Sequence, residues 1–291
     1  MSFKQALRNE KFVVTAEMPL TPDSSRESVA ADADILRDSV DGVLLTDNQY
    51  GQPHMSPIIA AGMLLGGDVS PILQVSCRSR NRIALLGDLL GARALGIDSL
   101  MLVRGGVIPE GYSPRPVAVM DVDEKELMAT ANMINDDEKL GFENEFLIGA
   151  SATVHDPTET WHPAELIAKA DAGAQFVITQ PCLDVGVLRR YVAFLVKHHL
   201  TRRFSVIVSI AVIQSPELGG WLRDNRNHAV IPAATLDRLA NASDPEQEGI
   251  EMCAELLQAV AAIPGVSGVN FVPGASLGLI PQVIEKAGNI D

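Results

Sequence analysis

Residues 71–106, PILQVSCRSRNRIALLGDLLGARALGIDSLMLVRGG, carry the fold in one stretch. Residues 71–76 (PILQVS) are a short apolar run that reads as a strand. Residues 80–95 form a longer amphipathic stretch that reads as a helix, and residues 98–103 (DSLMLV) return to a short apolar run. Apolar strands without a clean in–out alternation belong to a parallel sheet covered on both faces, and two such strands separated by a helix are a βαβ unit.

The same alternation extends in both directions. Strand-like runs fall at 12–18, 42–46, 71–76, 98–103, 146–150, 175–179, 204–210 and 267–271. Helical stretches fall at 25–39, 56–65, 80–95, 123–140, 164–172, 185–199, around 216–223, 233–239 and 246–263, and at 276–287. In the first of these, Val29, Ala33, Ile35 and Leu36 share one face. Eight βα units in fewer than 300 residues fit a single (β/α)8 TIM barrel over 1–291. An open doubly wound sheet is the alternative. No linker or low-complexity segment interrupts the order.

Composition narrows the function. The chain has 291 residues, with 23 Lys and Arg against 37 Asp and Glu, a formal charge of −14. So acidic a surface argues against nucleic acid and anionic membranes as partners. Aromatics at 4% leave little for base stacking, and 47% apolar residues exclude a disordered chain. Cys77, Cys182 and Cys253 match no zinc or redox spacing, which suggests a reducing, cytoplasmic setting. The opening MSFKQALRNEKF lacks the apolar core of a signal peptide, and no run of 18 apolar residues is present to span a membrane.

A barrel of this kind works at the C-terminal ends of its strands. Glu17 lies in the apolar run of the first strand. Burial at a barrel mouth strips hydration from a carboxylate and favours its protonated form, a general acid. The other reading is a carboxylate paired to an arginine or capping a loop. Arg104, Gly105 and Gly106 follow the fourth strand and suit either close approach to a ligand or a tight turn. Gln180, after the sixth strand, offers an amide to a heterocycle edge or to loop backbone. Asp184 reads as the N-cap of the next helix. His155 and His162 are seven apart, but Pro157 and Pro163 remove any helical ligand geometry, so no metal site is expected. No GxGxxG follows the first strand, no GxxxxGK[ST] occurs, and residues 149–153 (GASAT) lack the GxSxG spacing.

Several segments together resemble the methylenetetrahydrofolate reductase family. They are residues 42–63 (GVLLTDNQYGQPHMSPIIAAGM), 71–106, 171–184 (DAGAQFVITQPCLD), 230–232 (VIP) and 248–251 (EGIE). The TDN at 46–48 is most like one subfamily, and the shared order runs from about residue 12 to 288. The resemblance implies a barrel with FAD at its C-terminal face. NADH or NADPH would reduce the flavin, which would reduce 5,10-methylenetetrahydrofolate to 5-methyltetrahydrofolate. By resemblance Glu17 is the general acid that opens the methylene bridge. Gln180 and Asn48 contact the tetrahydrofolate substrate. Thr46, Arg104, Gly105, Gly106, Ala150 and His155 line the flavin, and Lys169 faces its diphosphate.

Two departures bear on the cofactor. Gly106 stands where the family commonly has an aspartate beside flavin and pterin. Of the basic residues that the family's fifth helix often turns toward the diphosphate, this chain keeps only Lys169. The resemblance therefore also allows a flavin-free route, with hydride passing directly from nicotinamide. Arg78, Arg80 and Arg82 either meet a 2′-phosphate of NADPH or begin a solvated helix. Three functions follow: the reductase, the same chemistry run oxidatively in a demethylation pathway, and a non-catalytic subunit that binds folate or a corrinoid protein. Barrels of the family often associate, so a homo-oligomer or a methyl-transfer partner protein is open.

Overall fold

The computed structural model describes residues 1–141, 145–274 and 276–290. Its core is a closed barrel of eight parallel strands in sequence order. They are β1 (Val13–Met18), β2 (Gly42–Leu45), β3 (Pro71–Ser76), β4 (Ser99–Val103), β5 (Leu147–Ala152), β6 (Phe176–Thr179), β7 (Ser205–Ala211) and β8 (Gly268–Val272). Closure comes from β1 against β8, in register from Val13↔Gly268 to Ala16↔Phe271. That seam excludes the open doubly wound sheet.

Successive side chains of a strand point to opposite faces, so each strand feeds two cores. Val13, Leu44, Ile72, Met101, Leu147, Phe176 and Ile207 meet inside the barrel. Their neighbours Val14, Val43, Leu73, Leu100, Ile148 and Val206 pack outward against the helices. Both faces are dry, which is why the strands read as apolar runs.

Local signals set the helix ends. The Asn81 side chain accepts the Ala84 N–H at 3.0 Å and starts helix Arg82–Leu95, which ends at Gly96 with φ 89°. Asp184 caps Val185–Lys197 as expected, accepting the Val187 N–H at 3.0 Å. The stretch 123–140 divides into helix Glu124–Asp136 and a 3-10 turn, Glu138–Leu140. One α-helix went unread in the sequence. Helix Phe3–Arg8, capped by Ser2, plugs the bottom of the barrel, and Phe3 meets Phe176 edge-on at 5.3 Å. Six residues are too few to register a helical period.

Among the described residues no helix is long and apolar enough to cross a membrane. The three cysteines are buried and unpaired. Burial pushes the Cys77 thiol up to about 11, helped by nearby Glu124, and Cys182 up to about 12. A thiol reagent at pH 8 is therefore expected to label none of the three until the protein is unfolded. The barrel floor makes a second prediction. A Cβ at Gly149 would lie 2.1 Å from the Phe176 ring. Gly149→Ala should cost about 1–3 kcal/mol, seen as a lower urea midpoint with unchanged slope.

Candidate functional site

Inward-facing positions become polar towards the top of the barrel. Thr15 Oγ1 donates to Asn270 Oδ1 at 3.0 Å, Asn270 Nδ2 to Ser209 Oγ at 3.2 Å, and the Ser209 N–H to Thr179 Oγ1 at 2.9 Å. This belt joins β1, β8, β7 and β6 and satisfies groups that would be costly to bury alone. Above it opens a cavity of about 360 Å³, lined by Glu17, Gln74, Ser151 and Gln180 together with the loops after β2, β4 and β7.

Glu17 is 6% exposed and its carboxylate is fully engaged. Arg226 donates from Nη1 to Oε1 at 3.2 Å and from Nη2 to Oε2, while Gln49 Nε2 donates to Oε2 at 3.1 Å. Burial alone would lower the Arg226 pKa; the Glu17 charge and Tyr50 more than reverse this, and it is raised. Of the two sequence readings, the structure shows the carboxylate paired to an arginine. The partner could not be read from the sequence, because Arg226 lies 209 residues away, at the end of helix Pro216–Asn225. Its guanidinium also sits over the Tyr50 ring at 5.3 Å.

The turn after β2 braces this end of the barrel. Asp47 accepts from the Ser76 N–H at 2.7 Å, from Ser76 Oγ at 2.8 Å and from Arg80. Asn48, Tyr50 and Gly51 then take left-handed φ angles of 47°, 54° and 69°. Asn tolerates such an angle, whereas for Tyr50 it is strained. The turn aims the Asn48 carbonyl at Arg78 Nη2, 2.9 Å away, and sets Tyr50 under Arg226. Gly105, with φ 87°, is required where it stands, since a Cβ would lie 2.7 Å from that of Arg78.

The structure brings Glu17, Asn48, Gly105, Gly106 and Gln180 to one cavity. The other expected residues go elsewhere. Thr46 is buried and off the lining, and Arg104 is exposed beside a neighbouring cavity. Ala150 has zero exposure and faces the helices, since its inward neighbour is Ser151. His155 packs against Trp161 and Tyr191, at 4.4 and 5.6 Å, with Nε2 buried and unpartnered. Gln74, Arg78 and Arg226 line the cavity, though only Arg78 had drawn notice. Among the described residues no group of three His, Cys, Asp or Glu could hold a metal.

Lys169 decides the fit of a flavin. It is 2% exposed. Its Nζ contacts Glu165 at 2.8 Å, Glu124 at 3.2 Å and the Ser151 carbonyl at 2.8 Å. Two carboxylates already outweigh one ammonium, and a diphosphate would bring about two more negative charges to the same place. The mouth cavity is also at the small end for a ligand site. These residues do not fit the FAD diphosphate expected at Lys169.

An eight-stranded α/β barrel with a polar, charge-paired cavity at its C-terminal mouth has the layout in which barrels of this kind place small-molecule sites. The chain belongs to the methylenetetrahydrofolate reductase family, whose sequence profile matches residues 2–288. No curated protein is significantly similar in sequence. Among solved structures, it resembles an uncharacterized protein from Clostridium thermocellum that binds two copies of 5-methyl-5,6,7,8-tetrahydrofolic acid. The TM-score is 0.67 at 14% identity, covering 98% of this chain and 97% of that one. A 2,3-dimethylmalate lyase of the PEP mutase/isocitrate lyase superfamily aligns with TM-score 0.49 at 13% identity, over 92% of this chain and 78% of that one. The first likeness is one of fold; the second carries no weight.

The Glu17–Arg226 pair makes a stability prediction. Glu17→Gln or Arg226→Met alone leaves a buried charge unpaired and should cost about 3–5 kcal/mol. The double variant should cost clearly less than the sum of the two, a coupling that urea unfolding of all three variants would measure.

Proposed function

We propose that the mouth cavity binds a reduced folate and that the protein interconverts its 5,10-methylene and 5-methyl forms, with NADH or NADPH as the hydride partner. The observation that carries this is Gln180. Its half-buried side-chain amide shares the cavity with Glu17 and has no partner among the described residues, although its backbone N–H is bonded to the Ala152 carbonyl. An amide left unpaired beside a carboxylate is suited to a pterin edge, and family membership supplies the chemistry.

In the reductive direction N10 takes a proton, and the bond between N10 and the bridging carbon breaks to leave an N5 iminium. Hydride from the dihydronicotinamide then adds to that carbon and gives the N5-methyl group and oxidised nicotinamide. Oxidation is the same sequence reversed. In this reading Glu17 handles the N10 proton, and to do so it parts from Arg226. Because Lys169 is already neutralised, no step is drawn through a flavin. One observation favours a second reading, folate binding without turnover: the resting Glu17 is held in an ion pair.

The test is calorimetry with 5-methyltetrahydrofolate, together with NADH and NADPH oxidation driven by 5,10-methylenetetrahydrofolate, with and without added FAD. Binding with FAD-independent oxidation is expected. Binding alone would select the second reading, oxidation only with FAD would restore the flavin route, and no binding would remove both readings. If Glu17 is the acid, Glu17→Gln should lower turnover at least about 100-fold while leaving folate affinity within about tenfold.

A further inference from the structure

Three cations at the barrel mouth have carboxylate partners: Arg226 with Glu17, Arg80 with Asp47 and Asp88, and Lys169 with Glu124 and Glu165. Arg78 has none among the described residues, although it is only 3% exposed. Its acceptors are neutral: the Asn48 carbonyl at 2.9 Å, Ser79 Oγ at 3.3 Å and the Gly106 carbonyl at 3.4 Å. A guanidinium has five N–H donors, so two remain, one on each terminal nitrogen. Neighbouring Arg82 is exposed and pairs with Glu126, so the run of arginines in the sequence is not one solvated helix start.

A buried charge without a countercharge is unfavourable and persists where something else supplies the opposite sign. The surroundings leave room for it. Arg78 and Gly106 line the same cavity as Gln180, and a Cβ at Gly106 would meet nothing within 4 Å. Gly106 also borders a second cavity of about 560 Å³ whose lining includes Arg104 and Arg115 and no acidic residue. In a chain of formal charge −14, an outer cavity lined by two arginines and no carboxylate, adjoining that of Arg78 at Gly106, is an exception to the whole.

We propose that Arg78 is the receptor for an oxyanion of the bound ligand, held through a two-pronged guanidinium contact, with Arg104 and Arg115 flanking the passage that the rest of the anionic portion follows. This rests on the reading that the mouth takes folate and a nicotinamide dinucleotide. The oxyanion then belongs either to the glutamate tail of the folate or to the diphosphate of the dinucleotide.

Four probes separate these by equilibrium binding: 5-methyltetrahydrofolate, 6-methyltetrahydropterin (which lacks the glutamate), NADH and inorganic pyrophosphate. Each is titrated into wild type, Arg78→Met, Arg78→Lys and the surface control Arg82→Met, after circular dichroism shows each variant folded. Loss of a charge-assisted hydrogen bond corresponds to about a 10- to 100-fold weaker affinity. If the folate tail is the partner, Arg78→Met weakens 5-methyltetrahydrofolate by that factor and leaves the tetrahydropterin unchanged. If the diphosphate is, NADH weakens and both pterins do not. Arg78→Lys, which keeps the charge and loses the fork, should fall between, and Arg82→Met should match wild type. If wild type binds neither folate nor NADH, the proposed function fails, while pyrophosphate binding that vanishes in Arg78→Met still supports the oxyanion site. Binding of all four probes that is the same in wild type and Arg78→Met, including no binding at all, overturns the proposal.

Discussion

The structure depends on the seam where β1 pairs with β8. A parallel sheet that closes on itself has no edge, and every strand is buried on both faces. Polar side chains on the inner face must then find partners across strands. Thr15, Asn270 and Ser209 do so as a chain over three strands. Closure also sets the site. It carries the end of the first strand round to the loop after the seventh, where Glu17 meets Arg226.

Charge at the mouth is arranged around one strained turn. Residues 48–51 touch both arginines of the cavity, Asn48 through its carbonyl on Arg78 and Tyr50 through its ring beneath Arg226. One arginine is neutralised from within the protein and the other is not. A ligand that reaches Arg78 therefore works against the same short backbone segment that supports the Glu17 pair. The left-handed Asn48 and Tyr50 follow directly on Asp47, which is itself clamped by Ser76 and Arg80.

The architecture was legible because its signals are local. Runs such as residues 71–76 and 204–210 repeat at βα spacing, and caps such as Asp184 act within three residues of themselves. Helix Phe3–Arg8 was missed since fewer than two turns leave no period to detect. At the site, the positions of Glu17 and Gln180 could be read, but their states could not. Whether Glu17 stood alone or paired depended on Arg226, which neither lies near it in the chain nor belongs to a recognisable motif. Ala150 was assigned to the mouth by resemblance, although strand parity gives that place to Ser151, one residue on.

The cofactor shows where family likeness and local electrostatics part. Membership over residues 2–288 goes with the barrel, and the structure sets a carboxylate and an amide, Glu17 and Gln180, at its mouth. It does not carry the charge balance of each subsite, because folds are shared more widely than sites. Lys169 is present where a diphosphate contact is expected, yet Glu124 and Glu165 hold it. Its charge cannot be counted twice. Arg78, in contrast, had no claim from the family pattern, and it is a buried cation at the mouth with no carboxylate partner among the described residues. If an anion enters this cavity, electrostatics direct it towards Arg78 and Gly106, not towards Lys169. An anion seated there would lie on the β3 and β4 side of the barrel, across the cavity from the Glu17 pair.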